Sequence, residues 1–133
     1  MSKLKPLLFI ILILLGTFNY LYAEVVTMKV SASAYNSTVE QTNSAPFIGA
    51  WGDRLMPGVK SIAVSRDLLK RGLTHNSVVK IEGFDGEYIV KDKMNKRWKN
   101  RIDIYMGNDI QAAKNWGRKK LQIKYRLEVN DSI

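Results

Sequence analysis

Arg101-Ile102-Asp103-Ile104-Tyr105 puts a branched apolar side chain at every second position. In an extended chain alternate side chains leave by opposite faces, so Ile102 and Ile104 enter a core while Arg101, Asp103 and Tyr105 share the other side. Strand geometry alone therefore carries a carboxylate flanked by two isoleucines out of the apolar interior, to where a groove would lie.

The neighbouring segments carry the same period. Downstream, Asn108 is placed to cap a short helix from Asp109 to Trp116, with Asp109 favourable at its positive end and Gly117 at its stop. Beyond it Leu121, Ile123, Tyr125, Leu127 and Val129 alternate with Gln122, Lys124, Arg126 and Glu128, the clearest strand in the chain. Upstream, Ser77 to Glu82 and Glu87 to Lys91 flank Gly83-Phe84-Asp85-Gly86, whose Asp-Gly pair marks a hairpin. Ser61 to Ser65 is a short apolar run, followed by a helical turn from Arg66 to Arg71 that Gly72 closes and Ser65 is placed to cap. Val26 to Tyr35 alternates again, with Val26, Met28, Val30, Ala32 and Ala34 on one face. Between it and Ser61, Asn36 to Gly58 is rich in Ser, Thr, Asn, Gly and Pro, and a loop of that length in a small domain usually carries function. About six short strands with two helical turns predict a mainly β domain, a small barrel or sandwich.

The chain has 133 residues, the size of one domain. Lys3 and Lys5 precede an unbroken apolar run from Leu7 to Leu15, the pattern of a secretory leader, and Ala23 offers a small residue for cleavage. Residues 1–23 are thus expected to be a signal peptide, or an N-terminal anchor tethering the domain to a membrane, and residues 24–133 the exported domain. The formal charge is +9, and removing Lys3 and Lys5 leaves +7, which favours anionic partners. The absence of cysteine excludes disulfides, thiolate metal sites and a lipid-modified cysteine. One histidine, His75 in the turn-like Thr74-His75-Asn76, leaves little for Cys-His or Ser-His-Asp catalysis or for zinc.

Carboxylates must then carry any proton transfer. Sugar chemistry suits them, because a carboxylic acid can protonate a glycosidic oxygen and the carboxylate can later accept a proton. Asp92, in Tyr88-Ile89-Val90-Lys91-Asp92-Lys93-Met94-Asn95, and Asp103 stand out because they lie at or inside strands beside bulky apolar residues. If their strands are neighbours they share one site, and such a pair raises the pKa of one member while Arg101 opposes. The structural alternative has Asp92 ending its strand with bonds to backbone N–H groups and Asp103 paired with Arg101 or Lys93. Trp51, Trp98, Tyr35 and Tyr105 offer flat faces on which sugar rings stack, or anchors for core and loops; Trp116 reads as core. The basic stretch Lys93 to Arg101, with Met94 and Trp98 within it, also allows a nucleic-acid binder, a reading its acids disfavour.

Several spaced blocks together carry a resemblance. Ala34-Tyr35, Glu40 to Ile48, Gly49-Ala50-Trp51-Gly52, Ile62-Ala63-Val64-Ser65, Val90 to Asn95, Arg101 to Tyr105, and Ala112-Ala113 through Trp116-Gly117-Arg118 follow the order of blocks in three-aspartate domains, over roughly Val30 to Leu127. The chain thus resembles the barrels of membrane-bound lytic transglycosylase A and rare lipoprotein A. What the resemblance implies is a six-stranded double-psi β-barrel with one or two short helices, acting on peptidoglycan glycan strands in the periplasm or cell wall. It implies lytic transglycosylase chemistry without cofactor or metal, by a monomer. Asp103 falls on the catalytic acid and base, supported by Asp92, with Tyr35, Gln41, Thr42, Trp51, Asn95, Arg101 and Tyr105 as substrate-binding candidates. Two departures stand out: Ser65 occupies the position of the family's first aspartate, with Asp67 two residues beyond, and Gly49 and Trp51 stand where Thr and Ser are usual. The same barrel without catalysis would be a glycan-binding or structural envelope module.

Overall fold

The computed structural model describes residues 24–36 and 48–128. Gln41, Thr42, the leader and Val129 lie outside the described residues.

Six strands close into a barrel: β1 (Val25–Tyr35), β2 (Ser61–Val64), β3 (Val78–Ile81), β4 (Tyr88–Lys93), β5 (Arg101–Tyr105) and β6 (Lys119–Arg126). Their order around it is β1-β5-β2-β4-β3-β6. Pairs β1–β5 and β2–β4 are parallel, and the other four are antiparallel. This pairing is unchanged when β1, β2 and β3 are exchanged with β4, β5 and β6, the internal two-fold pattern of a double-psi β-barrel. Closure leaves no strand edge unpaired. Two short helices, α1 (Arg66–Leu69) and α2 (Ile110–Trp116), lie in connections.

The alternating positions fill the interior. Val30, Ile62, Val64, Val79, Val90, Ile102, Ile104 and Ile123 are buried in one cluster with Ala32, Leu121 and Tyr125. Each such aliphatic side chain contributes about 1.5–3 kcal/mol by leaving water. β3 and β4 form the expected hairpin. Trp116 packs against the core edge.

Both helix caps differ from expectation. Ser65 stands at the N-cap of α1 but makes no side-chain cap bond, because its Oγ accepts instead from the backbone N–H of Arg101 at 2.9 Å. For α2 the cap is Asp109, whose Oδ1 accepts from the Ala112 N–H at 2.9 Å, not Asn108.

Candidate functional site

Ser31, Ser33 and Tyr35 of β1 pair in register with Arg101, Asp103 and Tyr105 of β5. Partners in a parallel pair point to the same side, and the intervening Ala32, Ile102 and Ile104 are in the core. All six therefore turn away from the barrel interior, although Arg101 and Tyr105 are themselves buried there. Asp103 Oδ1 accepts from Ser33 Oγ at 2.7 Å, and Ser33 Oγ accepts from Arg101 Nη2 at 2.9 Å, so one hydroxyl links acid and base. The Tyr35 and Tyr105 rings lie 5.4 Å apart.

The two acids are not on adjacent strands. β2 runs between β4 and β5, and Ala63 is the register partner of both Asp92 and Asp103. The row Ser33–Asp103–Ala63–Asp92 thus crosses four strands, and two inter-strand spacings put the acids' backbones about 10 Å apart. A methyl group is all that Ala63 places between them.

A β-bulge brings Asp92 to that face. Ile62 pairs with Val90, but the next residue, Ala63, pairs with Asp92, so Lys91 is the extra residue. Strict alternation from the buried Tyr88 and Val90 would point Asp92 into the interior; the bulge re-aims it outward. Its Oδ1 then accepts from the N–H groups of Ala50, at 2.8 Å, and Lys93, at 2.9 Å. Asp92 thereby anchors the loop that follows Ile48, as the structural alternative expects of a strand-ending aspartate. That loop sits very close: a Cβ on Gly49 would lie 2.3 Å from the Lys91 carbonyl oxygen. Only glycine fits there without displacing backbone.

Burial holds both carboxyls above the ordinary aspartate pKa. At Asp103 burial dominates, the Ser33 bond and Arg101 oppose it, and Asp92 adds to it. At Asp92 burial outweighs the bonds from Ala50 and Lys93 and the charge of Lys93. Tyr35 feels burial first, then both acids, and its phenol is pushed well above the usual range. Its hydroxyl is buried without a hydrogen-bond partner.

The remaining candidates sit as follows. Arg101 is only 9 % exposed, and its guanidinium lies 4.0 Å from the Trp98 ring. Asn95 is exposed and uses its Oδ1 for the Arg97 N–H, which holds the turn presenting Trp98. Trp51 is half-buried, stacked on His75 at 4.7 Å, with Lys93 Nζ 5.7 Å from its ring. Ser65 is fully buried and bonded to the β5 backbone. Asp67 accepts from the Asn100 N–H at 2.8 Å; its hydrogen bonds hold its carboxyl below the ordinary value against the pull of burial.

Sequence reading missed a second cluster. Asp53 pairs with His75 and with Lys91 Nζ at 3.4 Å, and Lys91 also donates to Asn76 Oδ1 at 2.7 Å. The His75 bond leads the causes that lower the Asp53 pKa. A lone histidine in a turn was the only signal available. Among the described residues no group of three His, Asp or Glu side chains is arranged to hold a metal ion.

No family model matches this chain, and no curated relative matches it. Among solved structures it is similar to the apo expansin of Clavibacter michiganensis, at 17% identity and a TM-score of 0.49, over 81% of this chain and 52% of that one. It is also similar to a mutant of that expansin in complex with cellohexaose, at 17% identity and a TM-score of 0.46, over 77% and 51%. The chain spans about half the length of these expansins.

Proposed function

We infer that the domain acts on the glycan strands of peptidoglycan as a lytic transglycosylase, with Asp103 as general acid and base. One observation carries this reading: Asp103 stands half-buried on the outer face, its pKa raised by burial, tied to Ser33 and in one register row with Asp92. A raised pKa lets a carboxyl hold a proton nearer neutrality, as a general acid requires. The chemistry follows the three-aspartate resemblance. Asp103 gives its proton to the oxygen leaving between N-acetylmuramic acid and N-acetylglucosamine. The resulting carboxylate then takes the proton of the muramic C6 hydroxyl, whose oxygen closes on C1 as a 1,6-anhydro ring. Asp103 ends protonated, as it began, and no water is consumed. Asp92 shapes the field at Asp103 and holds the loop over β4. The leader fits work outside the cytoplasm.

Ser65 favours a second reading, a barrel that binds glycan without cutting it, since the family's first carboxylate is replaced by a buried hydroxyl bound to backbone. Incubating the protein with purified peptidoglycan and analysing the products by mass spectrometry separates the two. Catalysis predicts anhydromuropeptides, reduced ~10²–10⁴-fold in Asp103→Asn. Retention on peptidoglycan without product would establish the binding module and sink the lyase.

A further inference from the structure

We propose that Arg101, Trp98, Arg97 and Arg118 form a subsite for a carboxylate carried by the glycan itself, next to the bond at which Asp103 acts; this rests on the glycan reading above. Arg101 is 9 % exposed, yet its Nε and Nη1 are buried with no hydrogen-bond partner, and Nη2 is spent on Ser33. A buried cation with unused donors is costly unless something else compensates it. Its surroundings make the deficit worse. The guanidinium groups of Arg101, Arg97 and Arg118 lie 4.0, 4.7 and 5.9 Å from the centre of the Trp98 ring. Among the described residues the ion pairs are those of Asp53 with His75 and Lys91, so none of these arginines is paired with a described carboxylate. Lys120, on the strand beyond, shares the row of Ser31 and Arg101.

Unused donors, an indole face and surplus positive charge are what an anion on a flat, partly apolar body requires. A sugar acid has that shape. Arg101 lies two residues from Asp103 along β5, about 7 Å, which places the carboxylate on a sugar at or beside the bond to be cut. The muramic lactyl group is such a carboxylate wherever no stem peptide is amide-linked to it. Burial first, then the charge of Arg118, weakens the hold of Arg101 on its proton, while Asp103 strengthens it; an incoming anion relieves that imbalance.

The test is calorimetric titration in the Asp103→Asn background, where no glycan is cut, at fixed ionic strength. Three tetrasaccharides serve as probes: one with free lactyl carboxylates, the same with those carboxyls reduced to alcohols, and neutral chitotetraose. Arg97→Gln/Arg118→Gln is compared with Lys80→Gln/Lys124→Gln, a pair on β3 and β6 that removes equal charge elsewhere. The carboxylated probe is expected to bind about tenfold tighter than the reduced one. The arginine pair should reduce that preference without weakening the reduced probe, and the lysine pair should keep it. Equal affinity for the carboxylated and reduced probes, or equal loss in both double variants, overturns the subsite while leaving the glycan reading in place. Binding of none of the three probes would bring down both.

Discussion

Ser33 Oγ donates a 2.7 Å hydrogen bond to Asp103 Oδ1 across the parallel β1–β5 pair, and the same oxygen accepts from Arg101 Nη2. The bond favours the ionised carboxyl, so it moderates the upward push of burial. Ser33→Ala removes it, and the Asp103 pKa should rise further. A carboxyl-carbon NMR titration of wild type and variant reads this directly, and the pH–rate profile should move to higher pH in step. An unchanged or lowered pKa in Ser33→Ala would mean that the hydroxyl does not govern the charge on Asp103.

The raised pKa of Asp103 also sets a pH dependence of stability. Between the unfolded value, about 3.9, and the higher folded one, the native state holds more protons than the unfolded chain. Stability from this group is therefore full at low pH and declines as pH rises through that window. Asp103→Asn removes the dependence, so the variant should melt higher than wild type at pH 7, with the difference closing towards pH 3. Asp53 and Asp67, whose pKa values are lowered, act in the opposite direction in both proteins and cancel in the comparison. Parallel melting curves at every pH would refute the link.

Ile102 separates the two neighbouring outward residues, Arg101 and Asp103, and is itself fully buried. Ile102→Ala should cost about 2–5 kcal/mol through lost transfer energy and the cavity left behind. Val78 on β3 is 46 % exposed, and Val78→Ala should stay within about 0.5 kcal/mol. Urea unfolding of the two variants gives both numbers. A small loss at Ile102 would place it outside the core and remove the reason for Asp103 to face outward.

The strands were legible because a barrel packs one face of each, and Met28–Val30–Ala32, Ile102–Ile104 and Leu121–Ile123–Tyr125 repeat at period two for that reason. What eluded the reading was long-range. Nothing near Asp92 or Asp103 in the chain says that β2 intervenes between them, since strand order depends on closure. The bulge at Lys91 is hidden too, because Tyr88, Val90 and Asp92 continue a regular alternation and only the register against Ile62 and Ala63 breaks it. Ser65 takes the expected N-cap position, but its hydroxyl serves an N–H 36 residues away, on β5, which the local sequence does not reveal. Arg101 is a substrate-binding candidate through the resemblance; that its guanidinium lies beside Trp98 with two unused donors depends on a turn that Asn95 closes.

The close approach of Gly49 to the bulge turns an ordinarily stabilising substitution into a damaging one. Gly→Ala where the backbone permits it usually gains about 0.4–1 kcal/mol, by restricting the unfolded chain. Here the new methyl would sit 2.3 Å from the Lys91 carbonyl oxygen and 3.6 Å from the Asp92 Cβ, and backbone cannot swing aside as a side-chain tip can. Gly49→Ala should therefore destabilise by about 1–3 kcal/mol, typical of overpacking. The displaced loop would also pull the Ala50 N–H away from Asp92, a bond that favours the charged form, so the Asp92 pKa should climb. Urea unfolding measures the first effect and carboxyl NMR the second. A variant as stable as wild type would show that the loop does not rest on β4 and that Asp92 is held by Lys93 alone.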